Sequence, residues 1–164
     1  MSNNVLLCKE VDQAVLKDVL GRFGLAIVLV QDNREIPGSF WGDCEAGLVD
    51  NNLYIRGDTP LHSALHESCH YICMDATRRS GLHTNAGGDY DEENAVNYLQ
   101  ILLADFFSEC GRDRMMQDMD TWGYSYRLGS ARAWFEEDAE DAMKWLLDKK
   151  ITAGNNQVTW QVRN

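Results

Sequence analysis

Two histidines separated by one turn of a helix, with a glutamate directly after the first, carry the clearest chemistry in this sequence. His66-Glu67-Ser68-Cys69-His70 matches H-E-x-x-H. On a helix, imidazoles at i and i+4 share a face and can grip one metal ion, while the glutamate between them points at the water that such an ion carries. A motif this short arises by chance, so its flanks decide. Leu61, Ala64, Leu65, Cys69, Ile72 and Cys73 supply apolar positions at helical spacing, which predicts a helix packed into the protein rather than a surface helix with two unrelated histidines. Thr59 is the expected N-cap, with Pro60 at the first helical position. The helix then runs to about residue 79, and Ser80-Gly81 ends it.

The elements that must position this helix come from both sides of it. Residues 10–23 place Val11, Ala14, Val15, Val19 and Leu20 on one face of an amphipathic helix. Residues 25–30 form an apolar, β-branched run that reads as a buried strand. Residues 39–42 suggest a short strand or irregular extended stretch, and residues 46–49 and 53–55, joined by Asp50-Asn51-Asn52, a hairpin. After the histidine helix, residues 82–88 form a flexible connection containing His83 and Asn85. Asp89 or Asp91 caps a second strong helix over roughly residues 92–108. Residues 111–120 are a short helix or loop, residues 131–149 one further helix, and residues 158–162 an edge strand. This order, without regular βαβ alternation, predicts a single α+β domain over residues 1–164.

Composition narrows the function classes. Fifteen basic against twenty-six acidic residues give a net charge of −11, which argues against nucleic acid or an anionic membrane surface as the main partner. Cys8, Cys44, Cys69, Cys73 and Cys110 are odd in number and show no disulfide framework, as a reducing compartment favours. Residues 1–4 are polar and uncharged, the apolar patch at residues 5–7 is too short for a signal peptide, and no stretch is long enough to cross a bilayer. A cytoplasmic protein is expected. Oligomeric state leaves no signature.

A catalytic zinc site takes three protein ligands, so a third group is required. The metzincin extension would place a glycine and a histidine where Cys73 and Ala76 stand, and is excluded. His83 would reach only if its loop folded back. The better source is the helix that opens Asp89-Tyr90-Asp91-Glu92-Glu93. Here the chain resembles the gluzincin branch of the zinc metallopeptidases, in which a glutamate on a later helix completes the site. Small members, the ImmA/IrrE-like peptidases, carry Glu, then Ala at +3, an aromatic at +6 and paired leucines at +10 and +11. Counting from Glu92 gives Ala95, Tyr98, Leu102 and Leu103. The family's Asp or Asn at +4 is Val96 in this register; counting from Glu93 restores it as Asn97 but loses the alanine.

Periodicity favours Glu92. Ala95, Val96, Leu99, Leu102, Leu103 and Phe106 cluster on its face, whereas Glu93 lies at the flank with Asn97 and Gln100. A carboxylate centred on an apolar stripe needs a cation to justify its burial. The expected ligand set is therefore His66, His70 and Glu92, with Glu93 if the register differs by one. The resemblance implies a zincin-like fold, a minimal gluzincin whose small mixed or antiparallel sheet packs on the active-site helix and the third-ligand helix. It also implies a Zn2+-dependent hydrolase acting on a peptide or protein, with Glu67 as general base.

Such a site also needs a donor for the tetrahedral oxyanion and a sheet edge for the substrate. Tyr90, Tyr124, Tyr126, Arg127 and His62 are the candidate donors, and residues 46–49 or 53–55 the candidate edge. His62 lies four residues before His66 on the same helical face. His62, Tyr90 and Asn97 are thus the expected supporting residues. A second, local resemblance covers about twenty residues. Residues 63–71, with Arg78-Arg79 after them, are similar to the histidine helix of the elongation factor P hydroxylase family, which uses the same motif to hold iron. Two histidines and a carboxylate suit Fe2+ as well as Zn2+, so that resemblance implies an iron-dependent hydroxylase instead. A third alternative is a non-catalytic binding or sensor module presenting the aromatic residues 122–126 to a partner.

Overall fold

In the computed structural model, which describes residues 4–39, 43–81 and 88–164, the hairpin around Asp50 supplies the central strand and one outer strand of a small mixed sheet. Strand β2 (Gly47–Val49) pairs antiparallel with β3 (Asn52–Arg56), and Asp50 takes the left-handed conformation (φ 55°) that the tight turn demands and that Asp tolerates. Strand β1 (Ala26–Val30) pairs parallel with the other side of β3, giving the order β1-β3-β2. The expectation of a buried β1 is corrected. Among the described residues it is an outer strand bonded on one side only, and Leu29 stands 69% exposed. Residues 53–55 lie in the central strand and so offer no free edge, while residues 37–39 press on β2 so closely that a side chain at Gly47 would strike the carbonyl of Pro37.

Seven helices complete the α+β fold of the described residues. Helix α1 (Gln13–Gly21) is capped by Asp12, whose carboxylate accepts from Ala14 N and Val15 N. Helix α2 (Leu61–Cys73) bears the two histidines and touches β2 and β3 as well as α4 (Tyr90–Leu103), so the motif sits in the middle of the molecule. Its start is one residue later than expected: Pro60 holds the cap position, and Thr59 Oγ1 instead accepts from Arg56 N at 2.8 Å. Its end is earlier. Met74 and Asp75 are extended, and Asp75 accepts from Arg78 N to start a separate helix, α3 (Ala76–Ser80).

Helix α4 is capped by Asp89 and stops at Leu103, five residues before the expected end, as the chain tightens into a 3-10 turn over Ala104–Phe106. Helix α5 (Gly111–Trp122) buries Met115, Met116 and Met119, and ends at Gly123, whose left-handed φ of 110° turns the chain back. The single helix expected over 131–149 is two, α6 (Ala131–Glu137) and α7 (Glu140–Asp148), because Asp138 and Ala139 leave helical geometry. The terminal strand is shorter than expected, β5 (Gln157–Val158) against β4 (Thr152–Ala153). The extended stretch expected over residues 39–42 and the connection bearing His83 and Asn85 fall largely outside the described residues. No helix among the described residues is long and apolar enough to cross a membrane.

Candidate metal centre

Leu61, Leu65, Cys69 and Ile72 are fully buried on α2, and the histidines stand on another face of the same helix, the one that meets α4 through Glu93 and Gln100. His66 Nε2 and His70 Nε2 stand 3.2 Å apart. The carboxylate of Glu93 reaches both, with Oε1 3.2 Å from His66 Nε2 and Oε2 3.4 Å from His70 Nε2. Glu67 adds a second carboxylate: His66, Glu67 and His70 present possible ligand atoms that all lie within 4.8 Å of one another. Glu67 is only 6% exposed and faces the cavity beside the histidines, and among the described residues no hydrogen bond holds it. Of the two carboxylates, Glu93 is the one that touches both ring nitrogens.

Glu92, the preferred third ligand, is turned away from the histidines. Glu92 does lie on the apolar stripe, 3% exposed among Ala95, Val96 and Leu99, and its burial is indeed balanced by positive charge. That charge comes from arginines: Arg78 Nη2 lies 2.5 Å and Arg163 Nη1 3.0 Å from Glu92 Oε1. The flank of α4, bearing Glu93, Asn97 and Gln100 at i, i+4 and i+7, faces the histidines instead. Gly88 makes room for this, since any side chain there would strike the Glu92 carboxylate.

Gln100 orients the first histidine. Its Oε1 accepts from His66 Nδ1 at 2.8 Å, which puts the ring proton on Nδ1 and leaves the Nε2 lone pair for the metal side. Its Nε2 donates to His62 O at 3.1 Å. His70 Nδ1 is buried without a hydrogen-bond partner among the described residues. Burial tends to lower the His66 pKa, but Glu93 more than offsets it and the net direction is up. Burial lowers His70 to about 4 and raises Glu67 to about 7. Glu93, despite its burial, is held below the usual carboxylate range by the hydrogen bond and charge of the two histidines.

A cavity of about 380 Å³ opens beside these groups, lined among others by Glu45, Asn97, Trp122, Tyr124 and Tyr126. Trp122, Tyr124 and Tyr126 are half-buried in the cavity wall, whereas Gly123 and Ser125 between them are exposed. Asn97 and Tyr126 both line the cavity, and Asn97 Oδ1 and the Tyr126 hydroxyl are buried with no hydrogen-bond partner among the described residues. Of the remaining expected donors, Tyr90 is 80% exposed, Arg127 pairs with Asp138, and Tyr124 lines the cavity but its OH already meets His62 Nδ1 at 3.3 Å and Gln100 Nε2 at 3.4 Å. Glu45, which no sequence pattern marks, accepts from Ser63 Oγ at 2.7 Å and Trp122 Nε1 at 3.0 Å and so ties the cavity rim to α2 and α5.

His62 lies beneath the cavity rather than in it, 1% exposed and packed on Trp122 and Tyr124 with ring centroids 4.9 and 5.5 Å away. Burial lowers its pKa from 6.5 to about 3. The unfolded chain thus takes up a proton near pH 6.5 that the folded chain refuses until about pH 3, so this histidine's contribution to stability is whole above 6.5 and is lost as pH falls through that window. His62→Phe keeps a ring and removes the titration. Between pH 7 and pH 5 the wild type should lose about 2 kcal/mol more stability than the variant, measured by urea unfolding; parallel profiles would refute it.

Compared with known proteins, the chain matches no family model, no curated protein and no solved structure.

Proposed function

We propose that this protein is a metal-dependent hydrolase of amide bonds, in which His66, His70 and Glu93 hold one divalent cation and Glu67 is the general base. The observation that carries the reading is the spacing of the donors. Nitrogens about 2.0–2.1 Å from a single tetrahedral zinc ion stand roughly 3.3 Å from one another. The two ring nitrogens stand 3.2 Å apart, and the Glu93 carboxylate brings Oε1 to 3.2 Å from His66 Nε2 and its other oxygen, Oε2, to 3.4 Å from His70 Nε2. Two ligands on one helix and a carboxylate from a later one, under a small mixed sheet, also support a zincin-like arrangement of the minimal gluzincin kind.

When bound, a zinc ion lowers the pKa of a water it carries and polarises a substrate carbonyl. The chain's own groups divide the remaining work. Glu67, facing the cavity and held by no hydrogen bond among the described residues, takes the proton from the attacking water and passes it to the leaving amine. The Tyr126 hydroxyl, kept neutral because burial pushes its pKa up, donates to the developing oxyanion. Asn97 offers its amide to the backbone of an extended peptide, and Trp122 and Tyr124 form apolar wall against it. Protein purified without a histidine tag or added metal should carry one equivalent of zinc by inductively coupled plasma mass spectrometry and should cleave a quenched fluorescent peptide library. One equivalent of iron, with no cleavage, would replace this reading by the hydroxylase; protein binding neither metal would leave a non-catalytic module.

A further inference from the structure

We infer that Arg163 is a positioning residue for the metal centre: it clamps the last turn of α2 to the first turn of α4 and thereby sets how far Glu93 stands from His70. The inference rests on the metal site proposed above. Arg163 reaches both ligand helices at the ends nearest their ligands. Its backbone N–H donates to Ile72 O at 2.9 Å and its Nη1 to Cys73 O at 3.2 Å, two and three residues after His70. The same Nη1 donates to Glu92 Oε1 at 3.0 Å, on the residue immediately before Glu93.

The guanidinium is itself held. It stacks over the Trp145 ring on α7 at 5.2 Å, and the Arg163 main-chain carbonyl accepts from Arg79 Nη2 at 2.5 Å. Arg78 Nη2 approaches Glu92 from α3, so the first turn of α4 is fastened from two sides through one buried carboxylate. That fastening has a reason. Glu93 lies in the first turn of its helix, where backbone bonding is weakest, and its neighbours on the site face, Asn97 and Gln100, lie deeper in the helix. Without an anchor at Glu92 the ligand would sit on the part of α4 most prone to fray. A lysine in place of Arg163 would keep the charge but lack the flat guanidinium that lies over the Trp145 ring.

The test measures zinc affinity by competition with a chromophoric chelator and the visible absorption of the Co2+-substituted protein. Arg163→Met should weaken zinc binding about 10- to 100-fold, the range for residues that orient ligands, and should reduce the Co2+ absorption as Glu93 is lost from the ion. Arg163→Lys should recover part of both. Glu92→Gln, which keeps the shape and removes only the charge, carries the same expectation as Arg163→Met and stands in for it should that variant not fold. Val19→Ala, in α1 far from the site, controls for simple destabilisation: it should lower Tm and leave zinc affinity unchanged. Wild-type affinity in both Arg163→Met and Glu92→Gln, or an equal loss in Val19→Ala, would overturn the positioning role while leaving the metal site intact. A wild-type protein that binds no zinc would instead overturn the site itself.

Discussion

Glu93→Ala should lower zinc affinity by about 10²- to 10⁴-fold, as expected when one of three ligands gives up its share of the roughly 10–16 kcal/mol with which a protein site holds zinc. The expectation follows from geometry, since Glu93 is the carboxylate with oxygens 3.2 and 3.4 Å from the two ring nitrogens. It separates two adjacent residues of the same type, because the loss in Glu92→Gln should stay near the lower, 10- to 100-fold range of an orienting residue. Isothermal titration or chelator competition on the two variants settles the order. A greater loss at position 92 than at 93 would mean that the carboxylates exchange places on binding.

Glu67→Gln is expected to behave in the opposite way, keeping the ion and losing the chemistry. Removal of a general base costs about 10²- to 10⁴-fold in rate, and glutamine is close enough in shape to leave the packing of α2 undisturbed. Zinc content should stay at one equivalent while cleavage of the peptide library falls to background. Retained turnover would remove Glu67 from the mechanism; loss of the ion would make it a ligand, which its place within 4.8 Å of both histidines permits. Single-turnover measurements at saturating substrate distinguish a lost proton transfer from weakened substrate binding.

The histidine pair was legible from spacing because helical geometry alone places i and i+4 side by side, and the flanking apolar residues say which way the helix faces. The carboxylate was not, for a physical reason. Periodicity identified Glu92 as the buried member of the pair but could not tell which cation justified its burial, and Arg163 lies 71 residues away. The one local hint that favoured Glu93 was Asn97 at +4, which does line the cavity. The rim residue Glu45 meets Trp122 across 77 residues, a pairing that no local pattern announces. The break between α2 and α3 is different. Asp75, three residues before Arg78, carries the signature of an N-cap, and apolar continuity through Met74 concealed it. The exposure of β1 was hidden for a related reason, since an apolar run reads the same whether one face is covered or both.

Gln100 commits both halves of its carboxamide to the same pair of helices, the oxygen to His66 and the nitrogen to the main chain of His62. Turning the amide over would set N–H against N–H at one end and oxygen against oxygen at the other. The imidazole is therefore kept from rotating. In the metal site proposed above, its disorder is given up once, when the chain folds, and not again at each encounter with an ion.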